Sequence, residues 1–172
     1  MVMVSSVNGK ITKGDNPDVS AFASKEDAAL FEAIKKRHTC YIMGVGTFEA
    51  SRRRIVLRKG KLRVVLTHTP AKYQAETVPG QLEFTDKEPK VLLRSLEARG
   101  HKHVLLLGGA VINSVFLKAK LVNEIRVTVE PALFGKGKNI LAENGVDVPL
   151  RLIGIERLNK AGTLHLKYTV VT

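Results

Sequence analysis

The chain has no tryptophan and one cysteine, Cys40. A single thiol excludes an internal disulfide, and with it go the paired-cysteine spacings of zinc and dithiol sites. Cys40 heads the apolar stretch Cys40-Tyr41-Ile42-Met43, where a thiol packs as a small apolar group. Aromatic residues make up only 5% of the chain, with no helix-turn-helix pattern, so a nucleic-acid reader lacks its usual docking features. No segment approaches the roughly 18 apolar residues of a membrane span. The start, Met1-Val2-Met3-Val4-Ser5-Ser6, has neither the charged lead nor the apolar run of a signal peptide, so a soluble, cytoplasmic protein is expected. Repeats and low-complexity tracts are also missing.

Acids are scarce too: 16 against 28 lysines and arginines, a net charge of +12. Ten of those cations fall between Lys35 and Arg63, with Glu49 the only acid among them. Such a block attracts a polyanion, either nucleic acid or a phosphorylated substrate or cofactor. A solvated basic face is the plainer alternative. At 172 residues with an ordinary apolar fraction, one domain over 1–172 with its own core is expected.

Pattern and punctuation give the elements. Val2 to Val7 reads as a strand closed by Asn8-Gly9, and Lys10 to Phe22 as a loop. Ser24 opens a helix with Asp27 in the acidic slot of a capping box and Ala28, Phe31 and Ile34 on one face. Thr39 to Met43 and Leu62 to Thr67 read as strands, with a short helix from Phe48 to Arg53 between them. Pro89 begins a helix that stops at Arg99-Gly100. A strand, Val104 to Leu107, precedes Gly108-Gly109 and a helix from Ala110 to Lys118. Glu124 to Val129 is a strand. Leu150 to Arg157 and Thr163 to Val171 form a terminal hairpin. Alternating strands and helices, then strands alone, predict an α/β fold: a mostly parallel sheet with helices on both faces and an antiparallel C-terminal edge.

Three strand ends are alike: Gly44-Val45-Gly46-Thr47, Thr67-His68-Thr69 and Gly108-Gly109-Ala110. Ligands of open sheets bind outside the carboxyl ends of strands. Two of these loops start helices, whose free N–H groups suit a phosphate, although a glycine pair also serves a plain tight turn. G-x-G-x-x-G, the usual dinucleotide fingerprint, is absent. Nothing suggests a metal site.

Ser5-x-x-Asn8-Gly9-Lys10-Ile11 resembles the S-x-D-G-K-I opening of riboflavin-pathway pyrimidine reductases. Ile42-Met43-Gly44-x-x-Thr47-Phe48-Glu49 resembles the I-M-G-R-x-T-[YFW]-E stretch of dihydrofolate reductases. Leu107-Gly108-Gly109-Ala110, Phe116-Leu117, Leu121-Val122-x-Glu124 and Pro131-x-Leu133-x-Gly135-x-Gly137 are similar to the second half of both. The resemblance implies the dihydrofolate-reductase-like fold, with eight strands in one sheet and NADPH along their carboxyl ends. It places Gly44, Gly46, Thr47, Gly108, Gly109 and Ala110 on the pyrophosphate, Val111 elsewhere along the cofactor, and Thr67 and His68 on the adenosine 2′-phosphate. Val45 stands where a basic residue usually follows the first glycine, and His68 with Arg52 to Arg54 would supply the missing charge.

Asp27, with Phe31 a turn later, resembles the pterin-binding helix of dihydrofolate reductases, and Thr128 matches the threonine that partners the acid. A carboxyl on a partly apolar helix face has a raised pKa and accepts two N–H donors from an aminopyrimidine-type ring. As the fourth residue from Ser24, Asp27 is equally placed to cap its own helix. Ser5 and Lys10 are the other candidate substrate contacts. The D-N-P segment of the riboflavin enzyme is replaced by Ala50-Ser51-Arg52-Arg53, and the acid often preceding its glycine pair is Leu107. Dihydrofolate reductase, for its part, usually carries a tryptophan and a longer loop before the first helix.

The expectation is therefore an NADPH-dependent reductase, with dihydrofolate first, a ribosylaminopyrimidine 5′-phosphate second and a non-catalytic polyanion-binding protein third. A homodimer through exposed strands or the Phe116-Leu117 helix is a further expectation, by likeness to the riboflavin relatives.

Overall fold

The computed structural model describes residues 1–142 and 145–171; Glu143, Asn144 and Thr172 lie outside the described residues. Strand β1 (Val2–Ser6) leads to a loop that returns along residues 136–139, with Ile11 N–H donating to Lys138 O at 2.8 Å. At Gly137, which has φ +151, an added Cβ would lie 2.1 Å from the Thr12 carbonyl oxygen, so only glycine lets the two segments meet. Helix α1 (Lys25–Lys36) starts at Ser24, whose hydroxyl accepts the Asp27 N–H at 3.2 Å. It ends with Lys35 and Lys36, which favour the negative end of its dipole.

Strand β2 (Cys40–Gly44) is buried at all five positions, as a central strand covered on both faces must be. Helix α2 (Val45–Ser51) follows directly and tightens into a 3-10 turn over Arg52–Arg54. The remaining strands and α-helices are β3 (Leu62–Leu66), β4 (Leu82–Thr85), helix α3 (Pro89–Ala98), β5 (Val104–Leu106), helix α4 (Ala110–Lys118), β6 (Glu124–Glu130), β7 (Leu150–Arg157) and β8 (Leu164–Val170), with 3-10 turns at Val19–Ala21 and Pro70–Glu76.

The ladders form two four-stranded sheets, β4-β3-β2-β5 and β1-β6-β8-β7, in place of the single eight-stranded sheet expected. Pairings within the first sheet and between β1 and β6 are parallel, whereas β6–β8 and β7–β8 are antiparallel. The division falls between β1 and β5. Strand β5 has three residues, and its backbone bonds run to β2, where Leu107 N–H reaches Ile42 O at 2.8 Å. Side chains bridge the gap: Val2, Tyr41 and Leu105 pack beneath Ile34 of α1.

Alternation along β2 sorts the core. Cys40 and Ile42 face the main cluster with Leu92 and Leu96 of α3 and Phe116 and Leu117 of α4. Tyr41 faces α1, and Met43 joins Phe48, Val65, Tyr73 and Leu82 under α2. Phe116 and Leu117 are thus buried in the core, while the same helix exposes Val111 and Val115. Strand β7 also exposes a row of apolar side chains, at Leu150, Leu152, Ile153 and Ile155.

The start of one helix and the number of strands also differ from those expected. Helix α2 starts at Val45, not Phe48, because Gly44 already serves as its N-cap. Strand β4 was missed because Leu82-Glu83-Phe84-Thr85 is too short for its alternation to stand out. No helix among the described residues is long and apolar enough to cross a membrane.

Candidate functional site

The carboxyl ends of β2, β3 and β5 open on one cleft of about 1380 Å³. All three loops singled out by the sequence line it: Gly44 to Thr47, Thr67 to Thr69, and Gly108 to Val111. Helices α2 and α4 begin at Gly44 and Gly109, and neither N-cap carries a side-chain cap bond. Their first-turn N–H groups are therefore left to a ligand or solvent. The two glycine loops are tied together. Thr47 Oγ1 accepts the Gly109 N–H at 2.7 Å, and Gly44 N–H donates to Gly108 O at 2.8 Å. The Gly108–Gly109 peptide is cis. Close approach explains Gly44, where an added Cβ would sit 2.6 Å from Ile112 Cγ1. Thr67 is buried and accepts the Thr69 N–H at 3.2 Å, while His68 is exposed on the rim.

Helix α1 forms the facing wall and presents Asp27, Ala28, Phe31 and Lys35 to the cleft. Asp27 is 9% exposed. Burial raises its pKa, the Thr128 hydroxyl works against that shift, and the negative charge of Glu130 adds to it. Thr128 itself lies behind Asp27, fully buried on β6, with Oγ1 3.3 Å from Nδ1 of His165 on β8. His165 is buried, and this lowers its pKa. Glu130 accepts the Ser24 N–H at 2.7 Å and the Thr163 hydroxyl at 2.7 Å.

The cleft also has a basic end. Lys35, Lys36, Arg58, Lys61 and Arg63 line it, and Lys35 Nζ sits 4.6 Å from the centre of the Phe31 ring. Arg63 is unusual: 9% exposed, its guanidinium 5.6 Å from the centre of the Tyr41 ring, and its Nε buried without a hydrogen-bond partner. Burial lowers its pKa.

Asp27, Phe31, Gly44, Gly46, Thr47, Thr67, His68, Gly108, Gly109, Ala110 and Val111 all line this cleft. Ser5 and Lys10 do not. Ser5 is buried in β1 opposite Val129, and Lys10 Nζ is held by Asn139 Oδ1 at 2.8 Å, because the loop after β1 folds back on residues 136–139. Of the cations expected from Arg52 to Arg54, two are engaged by neighbouring acids and hydroxyls. Arg52 pairs with Glu49 and Glu76 at 3.0 and 2.8 Å, and Arg54, on the cleft wall, is bonded to Asp18 and Ser20. Sequence reasoning missed Arg63, Glu130 and His165. Arg63 had a signal: a lone cation inside the apolar run Leu62-Arg63-Val64-Val65.

Helices on both faces of parallel strands, glycine turns at the strand ends and an acid-bearing helix across the cleft define the dihydrofolate-reductase-like fold. Dihydrofolate reductase from Enterococcus faecalis, complexed with NADP(H) and RAB-propyl, superposes with a TM-score of 0.64 at 17% identity, covering 99% of this chain and 95% of that one. The chain belongs to the RibD C-terminal domain family, whose model matches residues 1–164. A diaminohydroxyphosphoribosylaminopyrimidine deaminase/5-amino-6-(5-phosphoribosylamino)uracil reductase from Thermotoga maritima superposes with a TM-score of 0.76 at 18% identity, covering 99% of this chain and 55% of that one. Among curated proteins, Uncharacterized protein YwjB of Bacillus subtilis (strain 168) is 28% identical over 101 residues. The match covers 59% of this chain and 56% of that protein, little more than half the relative's length.

Proposed function

We propose that the chain is an NADPH-dependent reductase of a ribosylaminopyrimidine 5′-phosphate, the substrate class of the riboflavin pathway. Membership of the RibD C-terminal domain family supports this class ahead of the folate expected first. The observation that carries the reading is a single cleft holding uncapped helix N-termini, a buried carboxyl and a buried guanidinium with an unused donor.

The residues present fit the cofactor. Gly44, Gly46, Thr47, Gly108, Gly109 and Ala110 would hold its pyrophosphate, where free N–H groups and close backbone approach favour an anion, with Val111 elsewhere along the cofactor. Thr67 and His68 would meet the adenosine 2′-phosphate. When bound, NADPH supplies the hydride.

Asp27 then acts on the ring. Its raised pKa keeps the carboxyl protonated to higher pH than usual, ready to donate to a ring nitrogen; once ionised, it accepts two ring N–H donors. Thr128 steadies it from behind, and Phe31 covers the ring. Helix α1 lines the cleft from Asp27 to Lys35, a span of about 12 Å at the usual helical rise. The far end of that span carries Lys35, Arg58 and Arg63, which suits a phosphate held away from the ring.

Reduction of dihydrofolate is a second reading, favoured by the Asp27–Thr128 arrangement, with the basic end receiving the glutamate tail. The test follows NADPH absorbance with each substrate in turn, for the wild type and Asp27→Asn. Faster oxidation with the pyrimidine phosphate, abolished by Asp27→Asn, is the expected result. Preference for dihydrofolate moves the second reading ahead, and neither binding nor oxidation of NADPH overturns both.

A further inference from the structure

Asp27 occupies the slot from which the acid of a capping box reaches back to the N-cap N–H. The forward half of that box is made, since Ser24 Oγ accepts the Asp27 N–H at 3.2 Å. The return half is made by a different acid. Ser24 N–H donates to Glu130 Oε1 at 2.7 Å, from a strand 106 residues further along the chain. The other oxygen, Oε2, accepts the Thr163 hydroxyl at 2.7 Å, and Asn159 Nδ2 donates to Thr163 Oγ1 at 2.9 Å. Glu130 is only 4% exposed. A carboxylate buried to that depth is held by its donors, and here they come from helix α1 and the β7–β8 turn.

We infer that Glu130 is a positioning residue: it caps α1 in place of Asp27 and so leaves the Asp27 carboxyl free to face the cleft. The functional meaning of that release rests on Asp27 being the ring-binding group. Glu130 also acts on Asp27 through its charge. The groups facing Asp27 from β6 are Thr128, which favours ionisation, and Glu130, which opposes it. From β8, His165 reaches Thr128 Oγ1 at 3.3 Å; on α1, the exposed Glu26 is engaged by Asn159 at 3.2 Å. One carboxylate thus fixes the helix end, and its charge adds to the burial that raises the pKa of the other.

Two substitutions separate the effects. Glu130→Gln preserves shape: the amide oxygen can accept the Ser24 N–H and the amide NH2 can donate to Thr163 Oγ1, but the charge is gone. Glu130→Ala removes both. Carboxyl 13C NMR of the full chain, without cofactor or substrate, reads the Asp27 titration, and hydrogen exchange reads the Ser24 amide. Glu130→Gln is expected to lower the Asp27 midpoint while Ser24 stays protected. Glu130→Ala is expected to expose the Ser24 amide to exchange, at least tenfold faster than in Glu130→Gln. An Asp27 midpoint unmoved in Glu130→Gln, or a Ser24 amide equally protected in both variants, overturns the inference. The pH profile of NADPH oxidation then separates the two claims. NMR shifts in a protein with no reductase activity remove the functional reading and leave the positioning role. Activity that depends on Asp27 but ignores Glu130 removes the positioning role alone.

Discussion

Gly44→Ala is the sharpest test of the cradle. Gly44 ends β2 and caps α2 with φ −80, a conformation alanine adopts freely, so backbone strain plays no part. The cost is steric. The new methyl would lie 2.6 Å from Ile112 Cγ1, 3.6 Å from Ile112 Cδ1 and 3.8 Å from the Gly108 carbonyl oxygen. Carbon atoms in contact prefer about 3.5–4.0 Å, so Ile112 must retreat by roughly 1 Å. Cγ1 is one bond from Cβ, and a retreat of that size shifts α4 or forces a poor rotamer. Overpacking of this kind costs roughly 1–3 kcal/mol, or about 2–12 °C in Tm for a chain of this size. Helix α4 carries Gly109 and the free first-turn N–H groups, so NADPH affinity is expected to fall about tenfold or more. That corresponds to about 1.4 kcal/mol. Thermal melts and titration of nucleotide fluorescence measure the two effects. Ile112→Ala in the same chain removes the opposing atoms and should restore binding, with a coupling of roughly 0.5–3 kcal/mol. A Gly44→Ala protein that melts and binds like the wild type, or one that Ile112→Ala does not rescue, refutes the close packing of β2 against α4.

Four further outcomes follow from the same geometry. Thr47→Val removes the acceptor of the Gly109 N–H and should cost about 1–2 kcal/mol by denaturant titration, together with weaker NADPH binding; an unchanged midpoint would place another acceptor at Gly109. Arg63→Met removes a buried cation with an unused Nε, so Tm should hold or rise while protection by inorganic phosphate is lost; phosphate protection equal to the wild type contradicts the anion role. The folded protein keeps the Asp27 proton at pH values where the unfolded chain, titrating near 3.8, has released it. Stability is therefore lost as pH rises from 3.8 through the folded value, and Asp27→Asn should melt higher than the wild type at pH 7, with the advantage vanishing below pH 3.8. Burial pushes the Cys40 thiol up to about 12, so a disulfide reagent should label it only as fast as the chain unfolds.

How much of this was legible depended on how local each signal was. The run Cys40 to Met43 and its glycine announced a buried strand feeding a ligand loop, and the ladders pair all five residues of β2 with β3 and the first three with β5. Ser24 and Asp27 announced a helix start, which the Ser24 hydroxyl confirms. The break between the sheets was not legible, since it depends on a three-residue β5 directing its backbone to β2 alone. Lys10 was singled out on a linear motif alone, and only the fold shows its ammonium bonded to Asn139, 129 residues further along. Glu130 was hidden for the same reason. Its partners are Ser24 and Thr163, which nothing short of the tertiary fold brings to one place.

Those long-range contacts bear on how the cleft departs from its family. Leu107 stands where an acid often precedes the glycine pair, and it packs against both the Met43 cluster under α2 and the Val2–Tyr41 cluster under α1. A carboxylate in that apolar setting would need donors of its own to offset its burial. The chain instead carries its cleft carboxyl on α1, where Thr128 stands behind it. A helix N-terminus would ordinarily claim such an acid for capping, and Glu130 fills that role from β6. The leucine before the glycines, the free aspartate on α1 and the buried glutamate on β6 are therefore parts of one arrangement. On this reading, an acid placed at Leu107 alone would be a carboxyl without donors, and loss of Glu130 alone would leave the helix end without its cap.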